Sequence, residues 1–224
     1  MYVASDGVAK AIKISEALAR KSEAHGAKFY GHTEVTGIEV HNGQVRAVQT
    51  TRGRIETAII VAAAGIWGPR VGRMVNVPIP LYPMQHLLAV TTTLPDLKGE
   101  VVEISQPILR HQDRSMYFRQ FGEAYMIGSY NHDPIPTASG DILSHDTASM
   151  MPSVMPWTAE HFESAVKSMG EILPPLQSAG LTYKINGLMS FTTDGMPLLG
   201  ESPFVKGFWS AQAIWISHAA GVAK

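Results

Sequence analysis

The stretch 58–69, Ala-Ile-Ile-Val-Ala-Ala-Ala-Gly-Ile-Trp-Gly-Pro, constrains the fold of this 224-residue chain more than any other. Arg52-Gly53 turns the chain into a strand that runs through Ile59, Ile60 and Val61 to Ala64, and an uninterrupted apolar strand of this kind is expected at the centre of a parallel sheet, covered on both faces. Pro69 suits the first turn of the helix that follows, with Val71, Met74 and Val75 on one side. The small residues between strand and helix allow close approach to the backbone. Two explanations are open: tight packing of helix on strand, or a nucleotide cofactor lying over the turn.

The rest of the chain predicts a mixed α and β fold. Apolar residues Val8, Ala11, Ile12, Leu18 and Ala19 recur at helical spacing over 5–24, with Ser5 or Asp6 as cap and Gly26 as stop, so one face of this helix is expected against a sheet. A short strand is expected over 27–30. Strands 34–41 and 44–51 meet across Asn42-Gly43, a dipeptide suited to a type I′ turn. Pro-punctuated extended chain over 77–83 leads to strands at 84–93, 100–104, 115–120 and 124–129, the last two joined at Phe121-Gly122-Glu123, which together suggest a separate antiparallel sheet. Residues 131–156 read as loop. A helix from Thr158 carries Phe162, Val166, Met169 and Ile172 and stops at Pro174-Pro175; a strand over 208–213 then leads into a helix from Ile216.

Composition removes several classes of function. Lys and Arg number 18 against 19 Asp and Glu, so no broad basic field recruits nucleic acid or an anionic membrane surface. The longest apolar run, 58–67, is far shorter than the roughly 20 residues of a membrane-spanning helix, and no signal segment is visible after Met1. With no cysteine, the chain has no disulfides, thiolate metal sites or cysteine nucleophile, and a cytoplasmic location is expected. Nine histidines form no recognisable metal motif; Asn131-His132-Asp133 and His145-Asp146 read as solvated loop. Walker A, G-x-S-x-G and G-x-G-x-x-G are absent.

Few residues stand out chemically. His86 shares a strand face with Met84, Leu88 and Val90, as a core imidazole or as a pocket base working near neutral pH. Tyr117 and Arg119 alternate with Met116 and Phe118. His218, between Ser217 and Ala219 at a helix start, sits where backbone N–H groups meet an anion or a cofactor carbonyl. Arg110 and Arg119 suit a carboxylate, or a solvated surface.

Segments 7–40, 61–92, 108–132 and 185–224 resemble, in order and spacing, the flavin domain of the dimethylglycine oxidase, dimethylglycine dehydrogenase and sarcosine dehydrogenase group, within the wider D-amino-acid-oxidase-like FAD family. The element S-F-T-x-D-G-x-P-L-L-G-E at 190–201, together with the ending S-H-A-A-G-V-A-K, carries most of the likeness. The resemblance implies FAD as cofactor. It assigns Val35 to a strand whose backbone meets the adenine, Ala64, Gly65 and Trp67 to the turn along the cofactor, and Ile216, Ser217, His218 and Ala219 to the isoalloxazine end. It makes His86 and Tyr117 the substrate-side pair that orients an amine and manages its proton.

The implied fold is a partial FAD-binding domain of α/β type, formed by 1–78 with 186–224, carrying an inserted, mainly antiparallel substrate domain over 79–185. The implied reaction is oxidation of an N-methyl amino acid, dimethylglycine or sarcosine, by hydride transfer to FAD. The family's diphosphate-binding βαβ unit and its flavin-linked histidine have no counterpart in these residues, and the tetrahydrofolate-binding half that the resemblance implies as a partner is expected downstream in the full-length protein. The chain is therefore expected to be a fragment, inactive alone. The alternatives are another amine or D-amino-acid oxidase of the superfamily, or a non-catalytic remnant that binds a small molecule or a partner chain.

Overall fold

A computed structural model describes the chain except for Asp6, His145, Asp146 and Lys224, and except for the side chains of Ile216 and Ser217. The expected cap Asp6 and the pair His145-Asp146 thus lie outside the described residues. Helix α1 (Ala11–Ala24) starts later than expected, with Lys10 at its N-cap position in place of Ser5, and ends at Gly26, whose φ of +92° only glycine adopts easily. Its apolar stripe packs on no sheet: the helix buries no residue, and Ile12 is 75% and Leu18 59% exposed. The strand expected over 27–30 is irregular chain.

The hairpin forms as its turn residues dictate. Strand β1 (Val35–His41) pairs with β2 (Gln44–Thr50) across Asn42 and Gly43, both at positive φ, and β2 pairs with β3 (Gly53–Glu56) to complete a small antiparallel sheet. The single strand expected from Arg52 to Ala64 is instead two, β3 and β4 (Ile60–Ala62). The Thr57 hydroxyl donates to the Ile59 carbonyl at 2.8 Å and accepts from the Ile59 N–H at 3.2 Å, replacing ladder bonds with local ones. Strand β4 runs parallel to β12 (Phe208–Gln212), which pairs antiparallel with β11 (Leu198–Glu201). β4 is an edge of this sheet, not its centre, and Val61 is 61% exposed. Val45, Val75, Val77, Val205 and Phe208 form a core joining these two small sheets.

After β4, a 3-10 turn at Gly65–Trp67 leads into helix α2 (Gly68–Arg73), opened by Pro69 as expected. The chain then enters a six-stranded antiparallel sheet. It contains β5 (Leu81–Thr91), β6 (Leu109–His111), β7 (Met116–Phe121), β8 (Ala124–Ser129), β9 (Val154–Met155) and β10 (Leu181–Thr192), in the spatial order β6-β7-β8-β5-β10-β9. No strand forms over 100–104. There the Glu100 carboxylate accepts from the Val102 N–H, and the buried Gln120 carboxamide oxygen accepts from the Ser105 and Gln106 N–H groups at 2.7 and 2.9 Å.

Alternation decides the two faces of this sheet. Leu87, Ala89, Met116, Phe118 and Ile127 point to one side and pack against Phe162 and against Ala165 and Met169 of helix α3 (Glu163–Ile172). The other face carries His86 and Tyr117. Strand β10 pairs with β5 from Leu181 through Thr192, so the domain boundary expected at 185/186 falls inside a continuous strand. Helix α4 (Ile216–Val222) closes the described chain.

Candidate active site

On the face away from α3, register brings together residues that are far apart in sequence. Gly128 of β8 pairs with Leu88 of β5 on one side and with Tyr117 of β7 on the other, while His86 lies two residues before Leu88 on the same face. Gly128 has no side chain, so the Tyr117 ring lies across it and reaches His86: the phenol oxygen is 2.8 Å from His86 Nε2. Tyr130, two residues beyond Gly128, stacks on the imidazole with centroids 4.0 Å apart and planes 20° apart. Its N–H donates to the Ser115 carbonyl at 2.9 Å, which fixes the chain where β8 ends.

Burial sets the charge states. His86 is 8% exposed, and desolvation, reinforced by the nearby His132, lowers its pKa to about 4. Burial pushes the Tyr117 phenol up, helped by Tyr130 and opposed by Arg110 across the β6–β7 pair. At neutral pH both groups are uncharged: a protonated phenol beside a neutral imidazole. The other imidazole nitrogen, Nδ1, is buried without a partner among the described residues. Such a pair can hold or relay one proton through Nε2, and it has a ring nitrogen left over for a ligand.

An open, mainly apolar groove of about 640 Å³ lies along β10, whose Met189 is on the same face as His86. It is lined by Gly65, Ile66 and Trp67 of the turn after β4, by Leu188, Met189 and Ser190 of β10, and by Trp215 among others. Gly65 has φ +51°, and a Cβ added there would meet nothing within 4 Å. Trp215 is carried over the groove by Ala213, whose own φ of +53° turns the chain out of β12, and it is pinned by its indole N–H donating to the Ser190 carbonyl at 3.0 Å. His218 lies 6.4 Å from Trp215, ring centroid to ring centroid, with its Nδ1 buried and unpartnered among the described residues. The backbone N–H groups of His218 and Ala219 are not free for a ligand, because both donate to the Trp215 carbonyl, at 2.9 and 3.1 Å.

The structure therefore gathers the expected site residues into two neighbouring sets. His86 and Tyr117 are in direct contact, and Gly65 and Trp67 share a groove with Trp215, next to His218. Ala64 precedes the turn, Ala219 is exposed on α4, and Val35 sits at the start of β1 in a different sheet. Arg119 is not solvated as its surface reading expects: its side chain is 18% exposed and pairs with Glu103 at 3.3 Å. Arg110 is exposed, its Nε donating to Gln112 at 2.9 Å. Sequence reasoning missed Gly128, Tyr130 and Trp215; continuing the alternation of β8 past Ser129 would have put Tyr130 on the His86 face. Among the described residues no cluster of histidines and carboxylates is arranged to hold a metal ion, and no helix is long and apolar enough to cross a membrane.

The class of protein to which this fold, with its glycine turn and its neutral His–Tyr pair, belongs is given by comparison with known proteins. The chain belongs to the family of FAD-dependent oxidoreductases, whose family model matches residues 1–224. It is 32% identical over 215 residues to the mitochondrial sarcosine dehydrogenase of Mus musculus, covering 93% of this chain and 22% of that protein. It is 28% identical over 231 residues to the mitochondrial dimethylglycine dehydrogenase of the same species, covering 100% and 26%. The crystal structure of L-proline dehydrogenase from P. horikoshii superposes with a TM-score of 0.72 at 23% identity, over 90% of this chain and 49% of that one. The chain thus spans about a quarter of the length of these curated relatives.

The residues present fit part of a flavin site. Gly65 leaves the turn unobstructed, and the groove between Trp67 and Trp215 is apolar, as a planar aromatic ring requires.

Proposed function

We propose that this chain forms the substrate-facing part of an FAD-dependent oxidoreductase that oxidises an N-methyl amino acid such as sarcosine or dimethylglycine. The observation that carries this reading is the His86–Tyr117 pair, uncharged and half enclosed, beside a groove lined by the Gly65–Trp67 turn. Ala64, Gly65 and Trp67 would lie along the cofactor, with His218 at its ring end and Val35 toward its adenine. Residues 79–185 supply the substrate side, 1–78 with 186–224 the cofactor side, and β10 serves both. Bound FAD supplies the hydride acceptor.

The task of the chain is then to present the amine unprotonated, since only a free lone pair on nitrogen drives hydride loss from the adjacent carbon. A neutral imidazole with a pKa near 4 does not repel an incoming ammonium, and the Tyr117 hydroxyl gives His86 Nε2 a partner before and after a proton passes. Strands rather than loops carry both groups, so their geometry is set before the substrate arrives.

The test is anaerobic mixing of the FAD-loaded protein, expressed from its complete gene, with sarcosine, dimethylglycine and a panel of D-amino acids. Bleaching of the flavin by the N-methyl compounds is the expected result. Bleaching by D-amino acids alone would move the assignment to another oxidase of the superfamily, and a colourless protein that folds without FAD would support a non-catalytic binding module.

A further inference from the structure

Gly187 is a glycine without a backbone reason to be one. It lies inside β10, where glycine is disfavoured relative to alanine by its conformational entropy. Inside a strand, glycine marks a bulge, a sharp bend, or a place where another group comes close to the backbone. The first two are absent at Gly187: the pairing of β10 with β5 is regular from Tyr183 through Thr192, and Gly187 is not among the glycines at positive φ. No atom of the described residues takes the space either, because a Cβ added at Gly187 would meet nothing within 4 Å. Gly128 and Gly207, which are close-packed, behave differently. At Gly128 the Tyr117 ring occupies the place of the side chain, and at Gly207 the Ala58 carbonyl does.

The direction of this empty position is fixed. Gly187 pairs with His86, so a side chain there would stand on the imidazole's face of the sheet. Neighbouring Asn186 is buried on the opposite face, its amide N–H groups donating to the Gln85 side-chain oxygen at 2.6 Å and to the Pro156 carbonyl at 2.9 Å, which prevents β10 from rolling. On its far side Gly187 pairs with Val154. Leu188, the next residue, begins the stretch of β10 that lines the groove. The open space therefore lies on the His86 face of the sheet, one residue before the stretch of β10 that lines the groove, where Met189 shares that face.

We propose that Gly187 is a specificity-determining residue: the space it leaves beside His86 receives the nitrogen substituents of the amine, and its size limits how large they can be. This rests on the reading of the chain as part of an amine-oxidising flavoprotein. Because the contact is steric, its strength depends on substituent size rather than on charge.

The experiment uses Gly187→Ala and Gly187→Val in the FAD-loaded protein expressed from its complete gene, with flavin content, visible spectrum and anaerobic flavin reduction by sarcosine, dimethylglycine, N-ethylglycine and N-propylglycine as readouts. Both variants should keep full flavin content and an unchanged spectrum. Gly187→Ala should lower the apparent affinity two- to fivefold for sarcosine and tenfold or more for the larger amines, with Gly187→Val steeper in the same order. Equal effects on all amines, or none, would overturn the proposal, as would loss of flavin from Gly187→Ala, which would give the space to the cofactor. If Gly187→Val does not fold, Gly187→Ala alone decides. A wild-type flavin that no N-alkylglycine reduces would overturn the substrate class and this assignment of the space with it, and is told apart from a failure of the inference alone because it is seen already in the wild type.

Discussion

The Tyr117 phenol lies across the α-carbon of Gly128, so that a Cβ built on Gly128 would fall 1.9 Å from Cζ and 2.1 Å from the hydroxyl oxygen. Neither partner can yield through the backbone, because β8 is held between β7 and β5 at this residue. Gly128→Ala should therefore expel the Tyr117 ring and break its hydrogen bond to His86. The cost of such overpacking is about 1–3 kcal/mol. Thermal unfolding gives the stability change, and the nitrogen chemical shifts of His86 give the lost bond. Shifts identical to those of the wild type would show that Tyr117 does not depend on the glycine.

The depressed pKa of His86 makes stability depend on pH. In the unfolded chain the imidazole titrates near 6.5, whereas in the fold its pKa is about 4, so between these values the unfolded state binds more protons. Stability from this group is present in full above pH 6.5, is lost as pH falls, and levels off below about pH 4. The total is about 3 kcal/mol at 1.36 kcal/mol per pKa unit. The groups facing His86 are Tyr117, Tyr130 and His132, with Arg110 acting on both tyrosines. Denaturant unfolding at pH 5 and pH 7 should show the drop in the wild type and a much smaller one in His86→Gln. Equal slopes in both proteins would place the titration elsewhere.

Tyr117→Phe separates the ring from the hydroxyl. The ring still covers Gly128, so the fold should survive, but His86 Nε2 loses its only partner among the described residues, at a cost of about 1–3 kcal/mol. If the pair manages a proton during amine oxidation, flavin reduction should slow by about 10² to 10⁴, the range of general acid–base catalysis, with a shifted pH profile. His86→Gln should slow it as well. An unchanged reduction rate in both variants would remove the pair from the chemistry and leave it as a structural contact.

How far the sequence could be read depended on whether the deciding contact was local. The β1–β2 hairpin was legible because Asn42-Gly43 carries its own turn geometry, and the opposite faces of Met116 and Tyr117 follow from strand alternation alone. The break between β3 and β4 was not, because a threonine hydroxyl at Thr57 overrides a run of apolar residues that periodicity reads as continuous. The apolar stripe of α1 was read correctly as a stripe but wrongly as covered, since amphipathicity shows that a partner is wanted without showing that this chain contains it. For the site, family likeness named His86 and Tyr117, but their meeting depends on the absence of a side chain at Gly128, visible only once β5, β8 and β7 are set in register.

Arg70 gives a further prediction, independent of the chemistry. It projects from α2, next to the turn that lines the groove, and its Nε donates to the Ser139 carbonyl at 2.6 Å. One Nη donates to the carbonyls of Gly140, at 3.2 Å, and Ile142. A single guanidinium thus gathers three backbone acceptors of one loop, with Ile142 buried behind it. Lysine has one nitrogen and cannot reproduce the planar fork, so Arg70→Lys should behave much like Arg70→Ala. Each should cost about 1 kcal/mol, since the Ser139 and Ile142 carbonyls are only partly buried and that of Gly140 is exposed to water. Amide hydrogen exchange over 138–143 should speed up in both variants while exchange in β5 and β8 stays at the wild-type rate. Uniform acceleration across the sheet would show instead that Arg70 supports the fold as a whole, and no change in the loop would show that its carbonyls find other donors.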